Sequence, residues 1–196
     1  MTSLFISLYM KLFFLLTPFF VMSVFLSFTE DMTVQEQRRL AMRTTVAVLV
    51  ISLILYFAGN PIFSTLGLTL DGFRVGAGSL LFLSAVSLVS GKRQRPETTD
   101  DSDPAVVPLA IPITVGPASI GTLLVLGAEL KGTEQLAGAG ALVIAGLTVG
   151  TLLFSASAVK KLIGSMGISV LTKITGLVLA AMAAQIVFTG IRGFLK

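Results

Sequence analysis

Residues 104–128 read PAVVPLAIPITVGPASIGTLLVLGA, a run without one charged side chain. A helix needs about 20 apolar residues to cross a hydrocarbon core of roughly 30 Å, and this run is long enough. It is also interrupted. Pro108, Pro112 and Pro117 each lack a backbone donor, and Gly116 adds conformational freedom beside the last of them. In lipid, backbone groups freed by proline must be satisfied by protein or lie along a watered cavity. The stretch therefore predicts a membrane span broken near Gly116-Pro117.

Five further charge-free runs, 12–29, 44–70, 75–91, 135–159 and 174–191, predict five more spans. Transmembrane barrels use short alternating segments, and these runs are long and apolar all round. In the second run Gly59-Asn60-Pro61 predicts a helix end, with 62–70 as a short interfacial piece. The opening Met1-Thr2-Ser3-Leu4 has no basic region and no cleavage pattern follows, so the first run is read as a retained span. Thr33-x-x-Glu36 is a capping box that starts the second helix.

Composition agrees. The chain is 54% hydrophobic and only 12% charged, with a mean hydropathy of +0.94. An ordinary soluble domain carries about 25% charged residues, so this one lacks the polar surface to stay in water. There is no Cys and no His, which excludes thiol catalysis, disulfides, Cys/His metal sites and any imidazole base. All ten acids (Glu30, Asp31, Glu36, Asp71, Glu97, Asp100, Asp101, Asp103, Glu129 and Glu134) lie in loops or at run ends. That argues against a carboxylate proton relay and against an oxygen cage for a divalent metal. With no phosphate-binding loop either, no cofactor, no metal and no enzymatic activity are expected. Fourteen Phe without Trp read as lipid-facing bulk and core.

Basic residues orient the chain. The loops after runs one, three and five hold nine of them: Arg38, Arg39, Arg43, Lys92, Arg93, Arg95, Lys160, Lys161 and Lys173. The other side holds Arg74, Lys131, Arg192 and Lys196, with Lys11 inside the first run. Short loops rich in Lys and Arg stay cytoplasmic, so both termini are expected outside a bacterial inner (plasma) membrane. This bias accounts for the net charge of +4, and no nucleic-acid-binding pattern accompanies it. The expected partners are the lipid bilayer and a small-molecule substrate; stripes of small residues such as Gly176, Ala180 and Ala184, or Gly146 and Gly150, mark close helix contacts and are compatible with a homo-oligomer.

The two halves overlay at a spacing of 99 or 100 residues. Thr17-Pro18 matches Gly116-Pro117, Ser23 matches Thr122, Thr33 matches Thr133, Leu66-Gly67-Leu68 matches Met166-Gly167-Ile168, Phe73-Arg74-Val75 matches Thr172-Lys173-Ile174, and Gly91 matches Gly190. Units of three crossings enter the membrane from opposite sides. The fold class expected is thus an all-α membrane protein: six transmembrane helices as two inverted three-helix repeats, with helices one and four interrupted. It forms a single integral membrane domain over 1–196, with repeat one about 1–91, a cytoplasmic linker at 92–104 and repeat two about 105–196.

Paired interruptions at equivalent places are the strongest sequence pointer to a transporter's binding site. The candidate substrate-binding residues are Thr17, Pro18, Ser23, Pro112, Thr114, Gly116, Pro117, Ser119, Thr122 and Gln185. Hydroxyls, opened backbone and half-helix ends would suit a small zwitterion. Arg74 and Lys173 open the third span of each unit; they read as gating cations or as snorkelling head groups, with snorkelling favoured. The function expected is a secondary transporter or exporter of small solutes with its site between helices one and four. The alternative is a non-transporting membrane protein that packs a partner or serves a structural role.

The segments VVPLAIPITVGPASI (106–120), FRVGAGSLLFLSAVSLVSGK (73–92) and GISVLTKITGLVLAAMAAQIVFTGIRG (167–193) strongly resemble the MarC family of six-span bacterial inner-membrane proteins. The PLAIP-x-x-x-GP pattern is the most specific part. The resemblance extends to LysE-type exporters and TerC proteins, which implies movement of small solutes or ions; small neutral amino acids are the substrate class it implies. Pro108, Pro112, Gly116 and Pro117 match the family pattern. Span one departs from it, with Phe20 in place of Gly and Ser23 in place of a second Pro, which predicts a more regular first half-site.

Overall fold

The computed structural model describes residues 2–91 and 105–195; the linker expected at 92–104 lies outside them. The elements are α1 (Thr2–Leu15), α2 (Pro18–Phe28), α3 (Val34–Leu66), α4 (Leu70–Ser90), a broken segment of wide helical coil π1 (Ala105–Thr114), α5 (Pro117–Glu129), α6 (Thr133–Phe154) and α7 (Ala156–Phe194). No strand occurs among the described residues. Five helices are long and apolar enough to cross a membrane, or six if π1 and α5, bent by 71° to each other, count as one span.

Local chemistry explains most element ends. The Thr33 backbone N–H donates to the Glu36 carboxylate at 2.8 Å, and Glu36 N–H returns a bond to the Thr33 hydroxyl at 3.4 Å. The capping box is in place at the start of α3. In π1, Val107 (φ −124°, ψ 120°) and Ile111 (φ −124°, ψ 128°) are extended, and each precedes a proline. Proline ring atoms clash with an αR residue before them, so those two positions must open the coil. Between α1 and α2, Thr17 adopts φ 46°, ψ 54° and Pro18 begins the new helix. Phe20 and Ser23 predicted regular helix here; the chain instead leaves it one residue before proline.

Two expected boundaries move. Gly59-Asn60-Pro61 does not end a helix: α3 continues to Leu66 and stops at Gly67, φ 65°. Gly59 serves a close approach instead, since a Cβ there would sit 2.2 Å from the Leu124 carbonyl oxygen of α5. The run at 135–159 is also not one helix; it turns at Ser155, and α7 is itself broken at Gly164, φ 67°, ψ 171°. Gly164 occupies a backbone region open almost only to glycine.

Helix α4 packs antiparallel along α7, with Gly190 beside Asp71 and Arg74, Gly78 beside Val187, and Gly176 beside Ala85 and Val89. Gly146 meets Leu49 and Gly150 meets Thr45, so small residues do mark close contacts. Helix α3 lies against α5, α6 and π1, while α1 lies against α6 and α2 against α7. The interior is built on Leu12, Leu15, Met22, Phe25, Tyr56, Leu109, Leu123 and Leu142. Ile54, Leu83 and Phe188 are each 63% exposed at mid-helix. Large apolar side chains facing outward along the helices suit hydrocarbon and not water.

Candidate functional site

The breaks at Thr17-Pro18 and Gly116-Pro117 come together in space. Both line a cavity of about 640 Å³, and the Ser119 hydroxyl of α5 donates to the Leu15 carbonyl at the end of α1, 3.3 Å away. Pro18 and Pro117 each stand at the first turn of a helix, where a missing N–H costs nothing and the fixed φ favours helix. Two helix N-termini, with partial positive charge and unsatisfied N–H groups, therefore begin beside the cavity floor.

Gly116 has ordinary extended backbone, φ −84°, ψ 176°. What it requires is space: a Cβ there would lie 2.9 Å from the Pro112 carbonyl oxygen. Thr17 is the residue with the unusual backbone, a non-glycine at positive φ. The Ile111–Pro112 peptide is cis.

From this floor the cavity runs to the face that carries Glu30, Gly91, Lys160 and Lys173. This face also bears the start of α3 with its arginines, and is called the basic face below. The wall is rich in hydroxyls: Ser23 and Ser27 of α2, Ser84 and Ser87 of α4, Ser165, Ser169 and Thr172 of α7.

At the opposite face the molecule is shut. The Arg74 guanidinium pairs with both Asp71 and Glu129, linking α4 to the end of α5. Its side chain is only 17% exposed, and Nε is buried without a partner. It is therefore held by carboxylates, not snorkelling freely. Beside it α5 approaches α3 so closely that a Cβ on Gly127 would sit 1.7 Å from the Tyr56 carbonyl oxygen. The buried Tyr56 hydroxyl donates to the Gln135 carbonyl at 3.0 Å, and the Gln135 amide donates to the Gly127 carbonyl at 3.3 Å. A smaller pocket of about 190 Å³, lined by Lys11, Arg74, Thr122, Glu129 and Gln185, indents this side near the ion pairs. Leu15 lines both hollows and separates them.

Most sequence-predicted residues assemble, but not all in one place. Thr17, Ser23, Pro112, Gly116, Pro117 and Ser119 line the large cavity. Pro18 is buried behind it. Thr114 is buried and donates to the Leu109 carbonyl at 2.7 Å, repairing the open coil of π1. Thr122 and Gln185 line the small pocket across Leu15. Lys173 stands at the mouth of the large cavity, far from Arg74 along the antiparallel α4–α7 pair. Sequence reading missed the serine wall and Glu30. The signal was present: Ser23 and Ser27, and Ser165, Ser169 and Thr172, recur at three- and four-residue spacing, which places them on one helix face.

A bundle of long apolar helices with lipid-suited outer faces and a polar interior hollow defines a multi-pass α-helical integral membrane protein. Comparison with known sequences narrows this. The family model described as MarC family integral membrane protein matches residues 2–195, and the chain belongs to that family. It is 36% identical to a UPF0056 membrane protein of Methanocaldococcus jannaschii, over 97% of each chain. A UPF0056 membrane protein of Aquifex aeolicus is 31% identical, over 98% of this chain and 94% of that one. The UPF0056 membrane protein YhcE of Escherichia coli is 30% identical, over 94% and 90%. No solved structure matches the chain.

Proposed function

We propose that the chain is a secondary transporter of small solutes that works by alternating access between two inverted three-helix repeats, about 1–91 and 105–196. The observation that supports this most is the cavity of about 640 Å³ that reaches both proline breaks from the basic face while the opposite face is closed. Its volume lies in the range of small-molecule sites. Each half also has a break with proline at the next helix start, a long helix, a glycine at positive φ (Gly67; Gly164, three residues before the register partner Gly167) and a final helix, although the second half turns once more at Ser155. The N-termini of α2 and α5 favour a carboxylate, and the open ends of α1 and π1 offer carbonyls to an ammonium group. A small neutral amino acid meets both demands, and is the class that the family resemblance implies. With the basic face cytoplasmic, the cavity opens inward, both termini lie outside, and the membrane is the bacterial inner membrane. No catalytic step and no cofactor enters this reading.

Purified protein in proteoliposomes tests it. Vesicles preloaded with unlabelled alanine, serine or glycine should accumulate the radiolabelled counterpart by exchange, and Gly116→Leu should stop this while leaving the thermal unfolding of the protein in detergent within a few degrees of the parent. A side chain at Gly116 must displace the Pro112 carbonyl, at a cost of about 1–3 kcal/mol within the site. Exchange absent across a panel of small zwitterions, anions and cations would leave a non-transporting membrane protein. For topology, Lys161→Cys should resist an impermeant thiol reagent in intact cells and Thr2→Cys should react; the native chain supplies no background.

A further inference from the structure

Arg74 and Glu129 pair at the closed face. Arg74 lies 99 positions before Lys173, and Glu30 lies 99 positions before Glu129. The register proposed for the two halves thus converts the pair Arg74–Glu129 into the pair Lys173–Glu30, with the cation again on the last helix of a half and the carboxylate again at the end of the helix that follows a break, Glu129 as the last residue of α5 and Glu30 two residues past α2. Both residues are exposed at the open mouth of the large cavity, and neither makes an ion pair among the described residues. The packing differs too: α5 is pressed onto α3 through Gly59 and Gly127, whereas its register counterpart α2 touches α6 only lightly and lies mainly against α7.

We propose that Glu30 and Lys173 form the second gate of this protein, an ion pair that closes the basic face when Arg74 releases Glu129 and the opposite face opens. This inference rests on the alternating-access reading above and adds which contact holds each state. An ion pair at each end, never both at once, gives two states of similar free energy, because each opening loses one pair and gains its counterpart. Asp71 has no acidic equivalent, since Val170 stands 99 positions on. Arg74 therefore has one carboxylate more than Lys173, and the structure shows the state in which that surplus is used. Lys160 also borders the mouth, but its register partner is Pro61, which carries no charge.

The test uses two single-cysteine reporters in sealed vesicles of each orientation, labelled with an impermeant maleimide. Ser87→Cys reports the basic-face opening and Thr122→Cys the opposite one. Arg74→Ala should raise labelling of the Thr122→Cys reporter from the opposite face about three- to fivefold, the size expected for loss of a partly exposed ion pair, and should slow labelling of Ser87→Cys. Adding Lys173→Glu should return both rates to the parent values, and adding Glu30→Lys to that protein should restore the shift. Lys173→Gln should act in the same direction to a smaller extent and serves if Lys173→Glu does not insert. Lys160→Gln should change neither rate. If Arg74→Ala shifts the reporters but Lys173 and Glu30 substitutions leave that shift intact, the second gate is wrong while alternation stands. A shift cancelled by Lys160→Gln instead also overturns the assignment. If no substitution at Arg74, Glu129 or Asp71 moves either reporter, alternation itself falls and the gate falls with it.

Discussion

The two ends of the molecule, which the proposed repeat would build from equivalent parts, are in different conditions. At the opposite face α3 and α5 meet backbone to backbone, with Gly127 on the Tyr56 carbonyl and Gly59 on the Leu124 carbonyl, and Gly138 of α6 lies under the Tyr56 hydroxyl. At the basic face α2 touches α6 only lightly and lies against α7, and serines, Glu30 and Lys173 line the cavity and its mouth. The closed end is held by contacts that admit no Cβ, and the open end is lined by groups that tolerate water. The proline breaks are therefore reached by the large cavity from the basic face; under the proposed alternation, closure of that end would come from movement of α2 and α7 and not from filling by side chains.

The largest effect should follow from breaking the closed end. Gly127→Ala puts a methyl group 1.7 Å from a backbone oxygen and 2.7 Å from its carbon, and no rotamer change relieves backbone. Helices α3 and α5 must separate, at a cost of about 3 kcal/mol or more. Thermal unfolding in detergent should drop by several degrees, and any protein that remains folded should admit solvent from the opposite face. Gly76→Ala is the matching control, since a Cβ there meets nothing within 4 Å. It should be neutral or stabilising by about 0.5–1 kcal/mol through helix propensity. Equal effects of the two would mean that the close approach at Gly127 is not what holds this end.

The open end should depend on backbone shape instead. Gly164 breaks α7 at φ 67°, ψ 171°, with open space where a Cβ would stand. Gly164→Ala should thus cost about 2 kcal/mol purely through the disfavoured dihedrals. Gly67, which ends α3, has φ 65° and ψ 22°, a left-handed region that other residues enter for about 1 kcal/mol. Gly67→Ala should be the milder of the two in the same unfolding assay, and the reverse order would contradict this account.

These contrasts also mark what could be read in the residues beforehand. Charge-free runs located the spans because charge in hydrocarbon is costly wherever it occurs. The capping box of Thr33 and Glu36 was legible because both partners lie within one turn. The opened coil of π1 followed from Pro108 and Pro112, since proline acts on its own neighbour. Passage of α3 through Pro61 was not legible, because Gly-Asn-Pro is a local stop signal; nor was the approach of Gly59 to the Leu124 carbonyl, a contact between residues more than sixty positions apart. The break at Gly164 was hidden among the many glycines of the chain, and nothing local to it separates a left-handed glycine from a packing one. Ser27, Ser84, Ser87, Ser165 and Ser169 were not legible as a site, because a hydroxyl stripe gains meaning only when several helices bring their stripes to one hollow.

The smallest effect expected concerns the floor that both ends share, and it runs in the stabilising direction. Thr17 holds φ 46°, ψ 54°, and a β-branched side chain in the left-handed region places Cβ against the following carbonyl, at a cost of about 1–2 kcal/mol. Gly116, at the matching position, has relaxed dihedrals and a crowded Cβ direction. The two breaks thus carry opposite liabilities, backbone strain in one and close approach in the other. Thr17→Gly removes the strain but adds backbone freedom to the unfolded chain, which offsets roughly 0.5–1 kcal/mol. A net gain of about 0.5–1 kcal/mol remains, visible as an unfolding midpoint raised by a few degrees, with the hydroxyl contribution to the cavity lost. Thr17→Leu should lower the midpoint slightly, because it keeps the strain and brings a larger side chain to the cavity floor. If Thr17→Gly instead destabilises by as much as Thr17→Leu, then the threonine hydroxyl outweighs its backbone cost, and the first break is held by side-chain contacts as the second is held by glycine.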